Sequence, residues 1–455
     1  MARNSATEWL YSGKNMLQKL LSIVVTLSVV MLSGANADDV APPGLPALPG
    51  DQPLHLRDAL DRALATNQGL AELRLHAESL GAVPSQVGAL PDPVLGLNAL
   101  NLPTDTFNLD QEPMTQMQVS LSQAFPFPGK RGLQRAAAEY EASAATKQVL
   151  DKRLQVAAGV RAAWWQLVYL DRAIEIVEQN QALMRDFIQI AQTKYKVGKG
   201  LQQDVLLAQL ELSRLLNRRI PLRAMRGASQ ADLNALMDRA PNQPVRLPPV
   251  SASDIHLPEL PPESELLQGA VAARPLLAVE RERTAAARAR LELAKKAYYP
   301  DFKLGAAYGF RDAADASGRN LPDLATFRLS INLPIYSGSK QSKAIEQRSS
   351  DYFRRKHALN KTLRSVQADI ARNYAYYQAS RDQVSLYGTA IIPQARQTVA
   401  AMLSAYQVNQ VDFLNVLNAQ IMLYDARISY WEALSDAKQF LARLAASAGA
   451  EDLYE

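Results

Sequence analysis

The feature that most constrains this chain is an internal repeat. The segment Ile391 to Arg427 recurs when slid back by about 211 residues: Tyr406 falls on Tyr195, Val408 on Val197, and Leu417-Asn418-Ala419-Gln420 on Leu206-Leu207-Ala208-Gln209. Other anchors keep the register at offsets of about 207 to 211. Leu90-Pro91-Asp92 answers Tyr299-Pro300-Asp301, and Pro126 and Gly129 answer Pro334 and Gly338. Each copy reads as a long helix, a short polar turn (Gly198-Lys199-Gly200, or Asn409-Gln410-Val411) and a returning helix. A chain of 455 residues is therefore two equivalent halves rather than a string of unrelated domains.

Residues 1–37 read as a signal peptide, with Lys14 and Lys19, an apolar run from Leu20 to Leu32, and the small-x-small pattern Ala35-Asn36-Ala37. The run is about 13 residues, short of the ~20 that a spanning helix needs. The chain has no cysteine, so neither a disulfide nor a lipid-modified cysteine is expected, and membrane attachment must come from the fold itself. No later window offers ~18 uncharged apolar residues, so membrane residence would have to be by strands. The net charge is +5, with acidic and basic residues interleaved, which does not make a nucleic-acid surface.

The expected organisation is repeat 1 over 38–240, a proline-rich linker over 241–262, and repeat 2 over 263–455. Repeat 1 carries strands at about 94–102 and 117–125 and a helical hairpin at about 133–219; repeat 2 carries strands at about 302–310 and 326–333 and a hairpin at about 340–446. A single short amphipathic helix is expected between Leu54 and Leu80.

The strands alternate with period two. Met117, Val119 and Leu121 interleave with Gln118, Ser120 and Ser122; Phe327, Leu329 and Ile331 interleave with Arg328, Ser330 and Asn332. Lys303 and Arg328 both fall in the polar phase, and on a lipid face each would cost roughly 2–4 kcal/mol at mid-bilayer. One phase is thus free of charge. Four strands cannot close a barrel, and an open edge in hydrocarbon leaves backbone groups unpaired, so a barrel would be shared between subunits. After each strand pair a proline-glycine break switches the period to a heptad. One row runs Val149, Val156, Ala163, Leu170, Val177, Met184, Ala191, and Leu133 to Val197 as one helix would reach about 100 Å. In the second copy Pro393 should kink the helix.

Enzyme motifs are not found: Gly338-Ser339-Lys340 lacks the upstream glycine of a phosphate loop, and neither His-Glu-x-x-His nor Gly-x-Ser-x-Gly occurs. The four histidines have no ligand spacing, so no metal site and no cofactor are expected. Met114 and Met117 read as packing residues before soft metal ligands.

Signal peptide, duplicated strand pair plus helical hairpin, and the tip signature Tyr-x-Val-(Gly/Asn) followed by Leu-x-Ala-Gln together resemble the TolC family of outer membrane efflux channels. The segments Glu112 to Met117 and Phe125 to Arg131 are similar to its heavy-metal branch, the cobalt-zinc-cadmium and copper-silver exporters. The resemblance implies a mixed α and β membrane protein: a homotrimer with a twelve-stranded outer membrane β-barrel continued by a periplasmic α-helical coiled-coil tunnel. It also implies a passive exit duct that meets a periplasmic adaptor (membrane fusion) protein and an inner membrane resistance-nodulation-division pump. The alternative reading is an exported coiled-coil protein that does not transport, such as an adaptor or structural fibre.

Candidate site residues cluster at the hairpin tips, around Gly198, Gly200, Asn409 and Val411. Asp412, Asn415 and Asn418 are spaced three apart along one side of the returning helix, and threefold symmetry would make each a ring at a periplasmic aperture. The resemblance implies a gate lock between Tyr406 and Asp204. It places an arginine of a second lock where this chain has Val411, and acidic residues where this chain has Asn415 and Asn418.

Overall fold

The computed structural model describes residues 53–314, 317–408 and 410–454; the leader and Asn409 lie outside the described residues. Helices α1 (Leu56–Thr66), α2 (Gln68–Gly81) and α3 (Val83–Gly88) open repeat 1. The single helix expected over Leu54 to Leu80 is thus divided. Asn67 leaves helical geometry, and its side chain accepts the Leu70 N–H at 3.1 Å, capping α2.

Strands β1 (Val94–Leu100) and β2 (Gln116–Phe125) lead to the hairpin of α4 (Lys130–Lys196) and α5 (Gln202–Leu236). α4 is a single helix of 67 residues, about 100 Å at ~1.5 Å per residue. α5 continues past 219, where the hairpin was expected to end, and carries Pro221 inside it. The carbonyl that loses its donor there belongs to Asn217, an exposed residue, so water can take the bond and the helix survives. An extended crossing with one 3₁₀ turn (Ala252–Asp254) reaches repeat 2.

Repeat 2 opens with α6 (Glu263–Ala273) and α7 (Pro275–Lys296), two helices that the strand and heptad patterns did not announce. Then come β3 (Phe302–Phe310), β4 (Leu324–Ile331), α8 (Gln341–Leu386), α9 (Ile392–Gln407) and α10 (Phe413–Ala448). β4 sits two residues earlier than the alternation suggested. Ahead of Pro393 the chain makes a π-helical segment, Tyr387–Ile391, which absorbs the missing donor of the proline within a continuous rod.

The strands form one antiparallel sheet in the order β1-β2-β3-β4. α4 is the axis of the helical part, packing on α1, α2, α3, α5, α7 and α10, whereas α8 packs on α7 and α10. The seam read from the heptads is the core: Leu170, Val177 and Met184 lie against Leu215, Phe413 and Val416. Midway along α4, Trp164 Nε1 donates to Leu54 O (3.1 Å) and Trp165 Nε1 to Tyr454 Oη (2.6 Å), pinning both ends of the described chain to one level.

Candidate functional site

The sheet has two unlike faces. Pairing puts Asn98 beside Gln118, Gln118 beside Gly309, Ser120 beside Ala307, Gly305 beside Arg328 and Lys303 beside Ser330. Lys303 and Arg328 therefore share one polar face with small and amide side chains. The opposite face is built from pairs such as Leu97–Val119, Ala306–Phe327, Leu304–Leu329 and Phe302–Ile331. It is open: Phe327 is 85% exposed and Leu329 61%. Met117 pairs with Ala99 and Phe310 and so belongs to this apolar face, which removes it from any path along the polar one. β1 and β4 each have one unpaired edge among the described residues. A sheet with a dry outer face, a wet inner face and two free edges is a segment of a barrel wall in lipid.

The tips lie at the far end of the helices. Gly198 takes φ +70°, and its N–H donates to Tyr195 O (3.0 Å) while Lys199 N–H donates to Lys194 O (2.9 Å), closing α4. At Gly200 a Cβ would come within 2.8 Å of Lys194 Cβ, so the return requires glycine. In the second hairpin Val411 is half-buried on the core. Asp412 is the residue before α10, and its carbonyl accepts the Asn415 N–H at 3.1 Å. Asp412, Asn415 and Asn418 are all exposed, while Phe413, Val416 and Leu417 are buried, so the amphipathic helix turns that row away from the core.

Tyr406 and Asp204 are both buried, from α9 and the first turn of α5. The Tyr406 ring packs on Phe413 (5.7 Å between centroids), and Lys194 Nζ stands 3.9 Å from its centroid while donating to Tyr406 O (3.3 Å). The Tyr406 hydroxyl has no hydrogen-bond partner among the described residues, so the pair is adjacent but unbonded. Burial pushes the Asp204 carboxyl up from the ordinary range, and the Asp412 charge adds to this; the Leu201 backbone and Lys194 oppose it. Burial also raises the Tyr406 phenol, with Asp204 as the second cause.

Sequence reading missed a second link between the hairpins. Tyr424 Oη donates to Glu211 Oε1 at 2.9 Å, with Glu211 3% and Tyr424 5% exposed, and Arg218 pairs with Asp425 alongside. One turn of α10 nearer the tip, Gln420 Nε2 donates to Asn180 Oδ1 at 2.7 Å. A signal was present: Glu211 falls in the buried row Ala208, Glu211, Leu215 of α5, where an apolar residue would be expected.

Among the described residues no group of acidic or histidine side chains could hold a metal ion, and no helix is long and apolar enough to cross a membrane.

A barrel-wall sheet fused to two helical hairpins of this length defines a channel subunit that spans one membrane and projects far from it. The sequence matches the model of the outer membrane efflux protein family over residues 59–238 and 266–450, and the chain belongs to that family. It is an outer membrane protein. It is 24% identical to the cobalt-zinc-cadmium resistance protein CzcC of Cupriavidus metallidurans, over 85% of this chain and 88% of that protein. Identity to the outer membrane efflux protein BepC of Brucella suis biovar 1 is also 24%, over 60% of this chain, and the match spans only 59% of BepC. The solved structure of CusC, described as forming a transmembrane channel, superposes with a TM-score of 0.72 at 16% identity, covering 86% of this chain and 91% of that one. The shared fold is two repeats of strand pair plus long helical hairpin, and family membership sets aside an adaptor or structural fibre.

Proposed function

We propose that three copies of this chain close a twelve-stranded barrel and a helical tunnel that together form the passive outer membrane exit of a tripartite efflux system. A periplasmic adaptor and an inner membrane resistance-nodulation-division pump would deliver the cargo. The observation that carries this reading is the four-stranded sheet, apolar on one face and polar on the other, with both edges unpaired among the described residues. In this reading Lys303 and Arg328 face the lumen. Asp412, Asn415 and Asn418 line the aperture, Asp412 being the single carboxylate of that row, and Tyr406 with Asp204 is the closing contact of the tip. No catalytic role is assigned.

Heavy-metal cations are the proposed cargo, supported by a match that covers 88% of a cobalt-zinc-cadmium resistance protein. Selection belongs to the pump, because this chain offers soft ligands only as scattered methionines. A deletion strain should become sensitive to one or more of zinc, cadmium, cobalt, nickel, copper and silver and be rescued by the chain; unchanged tolerance to all six would overturn the cargo. Calorimetry on the purified assembly should find no micromolar metal site at one per chain.

A further inference from the structure

We propose that the rim of the sheet beside the start of α4 binds the phosphate of a membrane phospholipid, with Lys296 as the cationic anchor. Phe127 lies two residues past Phe125, the strand residue that pairs with the lipid-facing Phe302. It stacks on Tyr299, with centroids 4.5 Å apart and 16° between planes. Lys296 Nζ stands over that pair, 5.7 Å from the Phe127 centroid and 5.4 Å from that of Tyr299. Neighbouring lysines are engaged with carboxylates, Lys295 with Glu292 and Lys130 with Asp301, each at 2.8 Å. Lys296 has no ion pair among the described residues; aromatic faces hold its ammonium and leave N–H donors free for an anion.

The surroundings say which anion. The exposed apolar face of the sheet continues beyond β4 into Leu333, Ile335 and Tyr336, which are 71%, 73% and 70% exposed, and Tyr298 and Tyr299 are 41% and 49% exposed. Aromatic side chains at the end of membrane strands mark the water interface, where lipid phosphates lie. A lipid offers two matched parts, a phosphate at the level of Lys296 and acyl chains against the apolar face. Free phosphate offers only the first, and one solvated ammonium holds it weakly. The inference rests on outer membrane location and the lipid-facing side of the sheet, and is independent of cargo and gate.

The test uses the full-length assembly in detergent, titrated with phosphatidylglycerol or phosphatidylethanolamine and read by native mass spectrometry. Wild type should retain lipid adducts, and Lys296→Ala should lower their occupancy roughly two- to fivefold, the scale of a lost cation contact. Lys296→Gln, which keeps the stem over the rings, should lower it similarly, and Lys296→Arg should restore it. Adducts equal in wild type, Lys296→Ala and Lys296→Gln would overturn the site. Displacement of lipid by inorganic phosphate at equal concentration would overturn lipid as the ligand. Either result leaves the duct reading standing, since metal tolerance and channel conductance report on that separately.

Discussion

The two repeats build matching halves of the sheet and unequal hairpins. β1–β2 and β3–β4 have the same polar and apolar phases and meet at a β2–β3 ladder that keeps both. The hairpins diverge. α4 is one unbroken helix, buried at intervals along its whole length, with core partners on several sides. Its counterpart changes to π-helical geometry over Tyr387–Ile391 without leaving the rod, and beyond that segment α9 buries only Ala395 and Tyr406, packing chiefly on α10. Symmetry is retained in the two-faced sheet and relaxed in the helical legs. Below the π segment the second hairpin is anchored through α10, which buries Phe413, Val416 and Leu417, while α9 contributes little to the core.

If the sheet halves are equivalent, charge on the lipid face should be equally harmful in both. Leu329→Arg and Leu121→Arg should each abolish most assembled protein in the outer membrane, at roughly 2–4 kcal/mol per chain near mid-bilayer. Ser330→Arg and Ser120→Arg, one residue away on the wet face, should assemble near wild-type yield. A pair with equal yields would break the phase assignment for that repeat.

The inequality of the hairpins predicts unequal responses to truncation. Leu170 is fully buried, and Leu170→Ala should cost about 2–5 kcal/mol. Met402, half-buried on α9, should cost under about 2 kcal/mol as Met402→Ala because its site can collapse or admit water. Denaturant midpoints of the two variants give the comparison, and a larger loss at Met402 would reverse it.

The Tyr424–Glu211 bond sharpens the comparison, because it ties one hairpin to the other. Tyr424→Phe leaves the Glu211 carboxylate buried without that donor, a loss of about 1–3 kcal/mol. Burial, followed by the bond to Glu211, already raises the phenol far above its ordinary range, so it stays a donor at all working pH. A double-mutant cycle with Glu211→Gln should show coupling between the sites; additive losses would make the contact incidental.

The sequence showed its regular parts well and its exceptions poorly, for a physical reason. Alternation at Met117 to Ser122 and the heptad row through Leu170, Val177 and Met184 are burial patterns, and burial is what these elements share in the structure. The Asn67 break, the passage of α5 through Pro221 and the π segment before Pro393 depend on which backbone groups find other partners, which residue types do not encode. At the tip, Gly198 and the exposed row Asp412, Asn415, Asn418 were legible from turn chemistry and spacing. The Glu211–Tyr424 link and the Lys194 approach to Tyr406 need the two hairpins laid side by side.

The smallest and most discriminating effect concerns the tip. In the structure Asp204 is buried, raised, close to the Asp412 charge and not bonded to the Tyr406 hydroxyl. Lys194 from α4 is the cation facing it, and Asp412 and Tyr406 are the groups facing it from the second hairpin. Opening the tip would return Asp204 to water and to an ordinary value near ~4. A carboxyl whose value is higher in the closed state binds its proton more tightly there, so closure is favoured by protonation and weakened as pH rises through that raised value. Single-channel conductance should therefore fall as pH drops from neutral toward the ordinary Asp range. Asp204→Asn carries no charge, and it should conduct weakly with a flat profile in the same window. Tyr406→Phe keeps the ring on Phe413 and should change conductance least. If instead a hydroxyl-to-carboxylate bond locks the closed trimer, ionised Asp204 is its stronger acceptor and every sign reverses: Asp204→Asn and Tyr406→Phe would both raise conductance, and acid would open the pore. The direction of the Asp204→Asn response alone decides whether the second hairpin is held at its tip by that bond or only by burial.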